Sequence, residues 1–243
     1  MLNKNPRSLF VLLISVQLIA LNCVTTQSYG QDSLIYSNSL SVSDDIKDWI
    51  MEGNGTAAFK DKWMHLFSPK SKNHHVLWCP VVFPENFIAE WEVQNQNIDA
   101  GLCIVFFAAS GSNGENIFEA SLPKRNGAFN NYIKGAINNY HISYYANGKD
   151  APEREIANLR KNKGFYKVQS DYPGIAVRST AVHKIRLMKY QGKIMMFVDD
   201  RKIIDWTDDG KQYGPILGSG NIGFRQMKWT HFAYRNFKVW RMK

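Results

Sequence analysis

The stretch FIAEWEV, residues 87–93, alternates apolar and polar side chains with a period of two. Phe87, Ala89 and Trp91 point to one side of an extended chain, because successive side chains of a strand project from opposite faces. The stretch therefore predicts a strand with one buried face. GLCIVFFAA, residues 101–109, is apolar throughout and predicts a central strand that is covered on both faces.

Short strand patterns of the same kind continue to the end of the chain. Residues 183–206 predict a meander of three strands with tight Gln-Gly and Asp-Asp turns, formed by HKIRLMKY, KIMMFVDD and RKIIDW. GNIGFRQM at 220–227 and HFAYRNFKVWRM at 231–242 predict two more strands. About a dozen short strands in a chain of this length predict an all-β jelly-roll sandwich of two antiparallel sheets.

The N-terminal residues have the composition of a targeting segment. A short basic start precedes an apolar run at 9–21, which is too short to cross a bilayer with ease, and a Ser-Tyr-Gly sequence follows. This pattern predicts a signal peptide over 1–30, a single domain over 31–243, and a periplasmic or secreted protein. Lipid attachment at Cys23 is less favoured, because Ala-Leu-Asn precedes it instead of a run of small residues.

The charge and the cysteines restrict the classes of partner and the disulfide pattern. The net charge is +9, and loss of Lys4 and Arg7 with the signal peptide lowers it to about +7, which favours acidic partners. No stretch resembles a nucleic-acid-binding module, and no further apolar run predicts a membrane span. Cys79 and Cys103 lie in strand-like segments, where a disulfide and two buried thiols are both open.

Polar side chains of three segments are predicted to share one sheet face. In NYHISYY (139–145), alternate residues face away from Tyr140, Ile142 and Tyr144. NLRKN (158–162) has the same property if it is extended, whereas a short helix over 151–161 would break the grouping. The candidates on this face are Asn139, His141, Ser143, Tyr145, Asn158, Arg160, Asn162 and Arg225. A solvated outer face is the alternative, but the scarcity of carboxylates favours a binding groove.

Three further residues complete the candidate site. Trp78 can stack on a sugar ring, although core burial is the commoner fate of tryptophan. His75 begins the same strand, and Gln226 adds an amide although it points to the opposite side of the strand from Arg225. Adjacent histidines on a strand point apart, so no metal site is predicted. The asparagine-rich connection at 111–136 is predicted to form a loop at the rim.

Several of these motifs occur together in one known family. They are HHVLWCPVVFPENF, GLCIVFFAASGSNGENIF, INNYHISYY, NLRKNKGF and GNIGFRQM…YRNFKVW. In this order and spacing, from Trp49 to Trp240, the chain resembles the YesU-like family, a bacterial family of unassigned function. The resemblance implies a concanavalin A-like jelly roll and a link to polysaccharide utilisation, and it carries over no catalytic residues. WTHFA at 229–233 departs from the family's usual turn, and the exported N-terminus is not universal among its members.

The leading hypothesis for function is a polysaccharide lyase that acts on a uronate-containing glycan. Elimination requires neutralisation of the carboxylate, removal of the C5 proton by a base, and protonation of the leaving oxygen. Arg160 with Asn158, or Arg225, would bind the carboxylate. His141 would be the base, and Tyr145 is a weaker candidate for the acid.

Two alternatives remain open. A glycoside hydrolase would use two carboxylates, and Glu90 and Glu92 lie about 7 Å apart on one strand face. A lectin-like binding protein would need only aromatic platforms and amides, and the fold does not separate it from an enzyme. No cofactor is predicted, although the turns VDDRK (198–202) and TDDGK (207–211) can supply oxygen ligands for a structural calcium ion.

Overall fold

Two antiparallel sheets form the structure, a computed structural model that describes residues 31–68, 74–147 and 155–243. The eight-stranded sheet contains β1 (Gln31–Asn38), β3 (Thr56–Lys60), β4 (Trp63–Phe67), β6 (Phe87–Asn95), β11 (Val182–Tyr190), β12 (Lys193–Val198), β13 (Arg201–Thr207) and β15 (His231–Met242). The seven-stranded sheet contains β2 (Ile50–Gly53), β5 (His75–Trp78), β7 (Gly101–Gly111), β8 (Ile137–Asn147), β9 (Asn158–Asn162), β10 (Tyr166–Gln169) and β14 (Asn221–Gln226). The two helices are a 3-10 turn at Ser43–Ile46 and α1 at Asn130–Ile133.

The strand orders confirm the predicted sandwich of two antiparallel sheets. The eight-stranded sheet has the order β13-β12-β11-β6-β15-β4-β3, and β1 also pairs with β15. The seven-stranded sheet has the order β10-β9-β8-β7-β14-β5-β2. In β6 the buried and half-buried residues alternate strictly, as the pattern of FIAEWEV predicts. Residues 158–162 form a strand, so the extended form of NLRKN is correct. The alternative of a short helix over 151–161 is wrong for residues 158–161.

The main core lies between the two sheets. Trp91 of β6 packs against Phe224 of β14 with ring centroids 5.4 Å apart, and against the edge of Tyr144 of β8. Tyr140, Ile142 and Tyr144 all point into this core, as the alternation of NYHISYY predicts. Burial of each such large apolar side chain contributes about 2 kcal/mol, so this face of β8 fixes the strand's orientation.

A second apolar cluster lies on the outer face of the seven-stranded sheet. It consists of Val76, Trp78, Phe106, Ala109, Ile117, Tyr132 and Ile137. The segment 112–136, which includes α1, supplies Ile117 and Tyr132 and therefore covers this part of the face. The segment is largely a loop, as predicted, but it covers part of the sheet face and does not lie only at the rim, because its apolar side chains pack onto the sheet. The cover also explains why β7 is apolar on both faces.

A buried ion pair anchors the covering segment to the sheet. Arg125 donates from Nε and Nη2 to the carboxylate of Glu52 on β2, at 3.1 and 2.6 Å. The same carboxylate accepts from Trp78 Nε1 at 3.0 Å and from the Tyr132 hydroxyl at 2.8 Å. The acceptor capacity of Glu52 is thus used by partners within the protein.

Loss of this anchor is expected to destabilise the protein. Arg125→Met leaves a buried carboxylate without its counter-ion, which costs about 3 kcal/mol. Chemical denaturation should show the loss as a lower midpoint with an unchanged slope. Arg186→Met is the control, because Arg186 forms an exposed pair with Glu90 and its loss should cost less than about 1 kcal/mol. Equal effects of the two variants would contradict the anchoring role.

Candidate functional site

One row of side chains crosses the outer face of the seven-stranded sheet. Register pairing aligns Arg160 of β9 with His141 of β8, His141 with Phe106 of β7, Phe106 with Gly223 of β14, and Gly223 with Trp78 of β5. Directly opposite residues of an antiparallel pair project from the same face. The structure therefore confirms that His141 and Arg160 are neighbours on one face.

Arg225 lies in the adjacent row of the same face and is the most unusual residue there. It is 1 % exposed, and its guanidinium carbon lies 4.3 Å from the ring centroid of Phe129. Its Nε and Nη1 atoms have no hydrogen-bond partner. Burial lowers the pKa of Arg225 to about 10, so the side chain is still charged at neutral pH. An unpaired buried charge is costly, and two donor atoms of this one are both unused and shielded from solvent.

His141 lies among aromatic rings and is held by an amide chain. Its ring stacks on Phe165 at 5.9 Å and meets the edge of Phe129 at 5.6 Å. Asn162 Nδ2 lies 2.8 Å from His141 Nδ1 and 2.7 Å from Asn139 Oδ1. Burial, followed by the charges of Arg160 and Arg225, holds the pKa of His141 well below its usual value. The imidazole is therefore neutral at physiological pH.

The electrostatic character of this face is positive. Arg160 stacks on Phe165, with its guanidinium carbon 3.8 Å from the ring centroid, and donates to the Phe165 carbonyl oxygen. Burial, followed by the charges of Arg225 and Lys228, lowers the pKa of His74 at the edge of this face. Among the described residues, no carboxylate forms a salt bridge with Arg160 or Arg225. Arg160 and Arg225 therefore lie on this face without a carboxylate partner among the described residues.

Two more of the predicted residues lie beside this row. Ser143 of β8 is the register partner of Asn158 of β9. Asn158 donates to the Ile156 carbonyl and accepts from the Ser170 hydroxyl at 2.7 Å. Its amide is thus engaged locally, whereas the half-buried Ser143 lies nearer to the centre of the sheet.

The grouping of Tyr145 with His141 is wrong. The register of β7 and β8 shifts between Cys103–Tyr145 and Ile104–Ser143, so β8 contains an extra residue and Tyr145 reverses its direction. Its hydroxyl accepts from Asn95 in the eight-stranded sheet at 3.0 Å. Tyr145 therefore lies in the core between the sheets and does not face a ligand beside His141.

Three other predicted binding residues are also placed differently. Trp78 is 0 % exposed and lies under Tyr132 in the second apolar cluster, so it is not a surface platform. His75 is fully buried beside Ser68, with its Nδ1 atom 3.1 Å from that hydroxyl. Gln226, its register partner, donates to the Tyr234 hydroxyl in the main core. His75 and Gln226 project between the sheets because they alternate with His74 and Arg225.

The remaining predictions concern cysteines, metals and the N-terminus. Cys79 and Cys103 are free buried thiols, and burial raises the pKa of Cys79 to about 11. Within the described ranges no three potential ligand side chains gather into a metal site. Asp208, one of the suggested calcium ligands, is bound by Lys161. The signal peptide and Cys23 lie outside the described residues, and no described helix is long and apolar enough to cross a membrane.

Two residues that matter at this face escaped the sequence analysis. Phe129 and Phe165 lie against Arg225 and Arg160, and both rings contact His141. Phe129 lies two residues after Gly127 and Phe165 directly after Gly164, and both glycines have positive φ, at 85° and 106°. The paired motif of a glycine shortly before a phenylalanine, RNGAF and NKGF, was the available signal, since such turns present the next side chains outward.

Comparison with known proteins places the chain in a family. The family model described as a domain of unknown function (DUF1961) matches residues 33–239. The chain belongs to this family. It is 38 % identical over 215 residues to the uncharacterized protein YesU of Bacillus subtilis (strain 168), a match that covers 87 % of this chain and 97 % of that protein. The resemblance to YesU-like proteins that the motifs indicate is thereby confirmed.

Solved structures confirm the fold. A Bacillus subtilis protein of unknown function with a galectin-like fold superposes with a TM-score of 0.84 at 35 % identity, covering 87 % of this chain and 97 % of that one. The exoplasmic/lumenal domain of VIP36, in a form bound to Ca²⁺ and Man3GlcNAc, superposes with a TM-score of 0.59 at 10 % identity, covering 87 % and 91 %. The second likeness concerns the fold alone.

Proposed function

We propose that this protein binds an acidic carbohydrate on the outer face of the seven-stranded sheet, outside the cytoplasm. The observation that carries the proposal is Arg225, a buried guanidinium with unused Nε and Nη1 donors and no carboxylate partner among the described residues. A ligand carboxylate that displaces the Phe129 ring from the guanidinium would complete these hydrogen bonds through a charge-assisted pair. Export rests on the predicted signal peptide.

The surroundings of Arg225 support an anionic ligand. Arg160 adds a second guanidinium on the same face that has no carboxylate partner among the described residues, and Glu52, which anchors the covering segment, is bound by Arg125. Phe129 and Phe165 supply apolar ring surface beside these charges, which suits the C–H side of a sugar ring. The fold supports a sugar as the ligand by analogy only, because the distant VIP36 domain was solved with an oligosaccharide.

Binding is expected to depend on Arg225. Isothermal titration of oligouronates against the protein should show affinity that Arg225→Leu lowers about tenfold to a hundredfold, because a charged hydrogen bond is lost. Arg160→Leu should also weaken binding. Because Arg160 is only half-buried, this second variant is less prone to a folding defect than Arg225→Leu. Arg186→Leu, on the other sheet, should leave affinity unchanged. Failure of every acidic glycan to bind the protein would contradict the proposal.

A uronate lyase activity stays a prediction that can be tested on the same face. Arg160 is the register partner of His141, and Arg225 and His141 contact the same Phe129 ring, so an arginine could neutralise a carboxylate beside His141. Tyr145, however, is too far into the core to protonate the leaving oxygen. Incubation with oligouronates, followed by absorbance of the unsaturated product and by reducing ends, distinguishes catalysis from binding. Binding without either signal would leave a lectin-like protein.

The hydrolase alternative receives less support from the geometry. Glu90 and Glu92 line a cavity of about 220 Å³ on the outer face of the eight-stranded sheet. Glu90 accepts from Arg186 Nε at 2.6 Å, and Glu92 accepts from Arg235 Nε at 2.6 Å. Because both carboxylates are held as acceptors by arginines, neither stands free to protonate a glycosidic oxygen.

A further inference from the structure

A chain of amide hydrogen bonds leads from the covering segment to His141. Asn139 Nδ2 donates to the backbone carbonyl oxygen of Tyr132 at 2.8 Å. A carbonyl only accepts, so the amide of Asn139 must present its nitrogen to Tyr132 and its oxygen to Asn162. Asn162 must then present its nitrogen to Asn139 Oδ1, at 2.7 Å. The orientation of both amides is thus fixed by one backbone group.

The second hydrogen of Asn162 Nδ2 determines which ring nitrogen of His141 carries the proton. Asn162 Nδ2 also lies 2.8 Å from His141 Nδ1. Because an amide nitrogen only donates, Nδ1 must be the accepting nitrogen of the imidazole. In a neutral imidazole the proton then resides on Nε2. The Asn162 Oδ1 atom is left without a partner, an unfavourable consequence of this orientation.

We infer that Asn162 is a positioning residue that locks His141 as a neutral Nε2–H donor, so that His141, Arg160 and Arg225 form an all-donor site for an oxyanion. This inference rests on the proposed function for its ligand. It changes the role that the sequence suggests for His141, because the lone pair that a general base needs is occupied by Asn162. It also narrows the class of ligand, since three donor groups favour a fully ionised carboxylate over a hydroxyl.

The tautomer is measurable without any ligand. Long-range ¹⁵N–¹H correlation spectra of the ¹⁵N-labelled protein at neutral pH distinguish the protonated from the unprotonated ring nitrogen. We expect His141 to carry its proton on Nε2. His183 is an internal reference with a proton on Nδ1. Its Nδ1 lies 2.9 Å from the Asp199 carboxylate, which only accepts, and its Nε2 lies 2.7 Å from the Ser179 hydroxyl. A proton on His141 Nδ1 in the wild-type spectrum would overturn the inference.

Two substitutions of Asn162 separate a positioning role from a structural one. Asn162→Asp replaces the donor by an acceptor of the same shape, so the proton of His141 should move to Nδ1 and oligouronate affinity should fall about tenfold or more. Asn162→Ala removes the lock without adding charge, and we expect a mixture of tautomers and a smaller loss. A purely structural residue would lower stability in both variants and leave the tautomer as in the wild type.

The outcomes for the two proposals are distinct. If the wild-type protein binds no oligouronate but His141 changes tautomer in Asn162→Asp, the lock exists and the proposed function is wrong. If oligouronates bind through Arg225 and the tautomer is unaffected by Asn162→Asp, the function holds and the lock is wrong.

Discussion

Lys161→Met is expected to lower the free energy of unfolding by about 4 kcal/mol, because it leaves a buried carboxylate unpaired. Lys161 Nζ lies 2.6 Å from Asp208 Oδ2, and the two side chains are 3 % and 0 % exposed. Lys161 also donates to the Gly214 carbonyl oxygen. The Tyr140 hydroxyl donates to the Asp208 carboxylate. The pair connects β9 with the segment that follows β13 in the other sheet, so it joins the two sheets at one edge.

A double-mutant cycle tests whether the loss comes from the uncompensated charge. Asp208→Asn added to Lys161→Met removes that charge and should recover part of the stability. Lys184→Met is the matched control, since Lys184 forms an exposed pair with Glu90 and should contribute less than about 1 kcal/mol. Urea denaturation of the four proteins gives the cycle. A double variant less stable than Lys161→Met would contradict the explanation.

The sequence predicted the architecture because the alternation of side chains is a direct consequence of strand geometry. FIAEWEV forms β6 with one buried face, and the even-numbered residues of NYHISYY enter the core. In an extended NLRKN segment, Lys161 and Arg160 must point to opposite faces. The structure has this arrangement, because Lys161 pairs with Asp208 in the interior while Arg160 lies against Phe165 on the outer face. In these segments a local rule with a period of two was sufficient.

The candidate site was predicted only where that rule is unbroken. Tyr145 was assigned to the wrong face because a bulge adds one residue to β8, and nothing in the local sequence marks its position. Trp78 was predicted as a possible platform because its cover was not recognised. The covering segment is held on the sheet by the contact of Arg125 with Glu52, two residues that are 73 positions apart in the sequence. The apolar side chains at Ile117 and Phe129 were the one local sign that this segment returns to the sheet.

Histidine burial should make the protein lose stability in acid from pH 6.5 downward, before most carboxylates begin to titrate. Burial, aided by the charges of Arg225 and His74, lowers the pKa of His75 from 6.5 to about 4. Below pH 6.5 the unfolded chain takes up a proton that the folded protein does not accept until about pH 4. The stabilisation is therefore complete above pH 6.5 and is lost as the pH falls towards 4. A difference of this size corresponds to about 3 kcal/mol, and burial of His141 acts in the same direction.

Substitution of His75 isolates its share of this effect. His75→Gln keeps a polar group near Ser68 but removes the titrating ring, so its stability at pH 7 should fall while its further loss between pH 7 and pH 4 becomes smaller by about 3 kcal/mol. His183→Gln, which removes an imidazole from the eight-stranded sheet, is the control. Urea denaturation at intervals of pH measures both slopes. If His75→Gln loses as much stability on acidification as the wild type, the imidazole must already reach water in the folded protein, and the edge between β5 and Ser68 must open more readily than its hydrogen bond at 3.1 Å suggests.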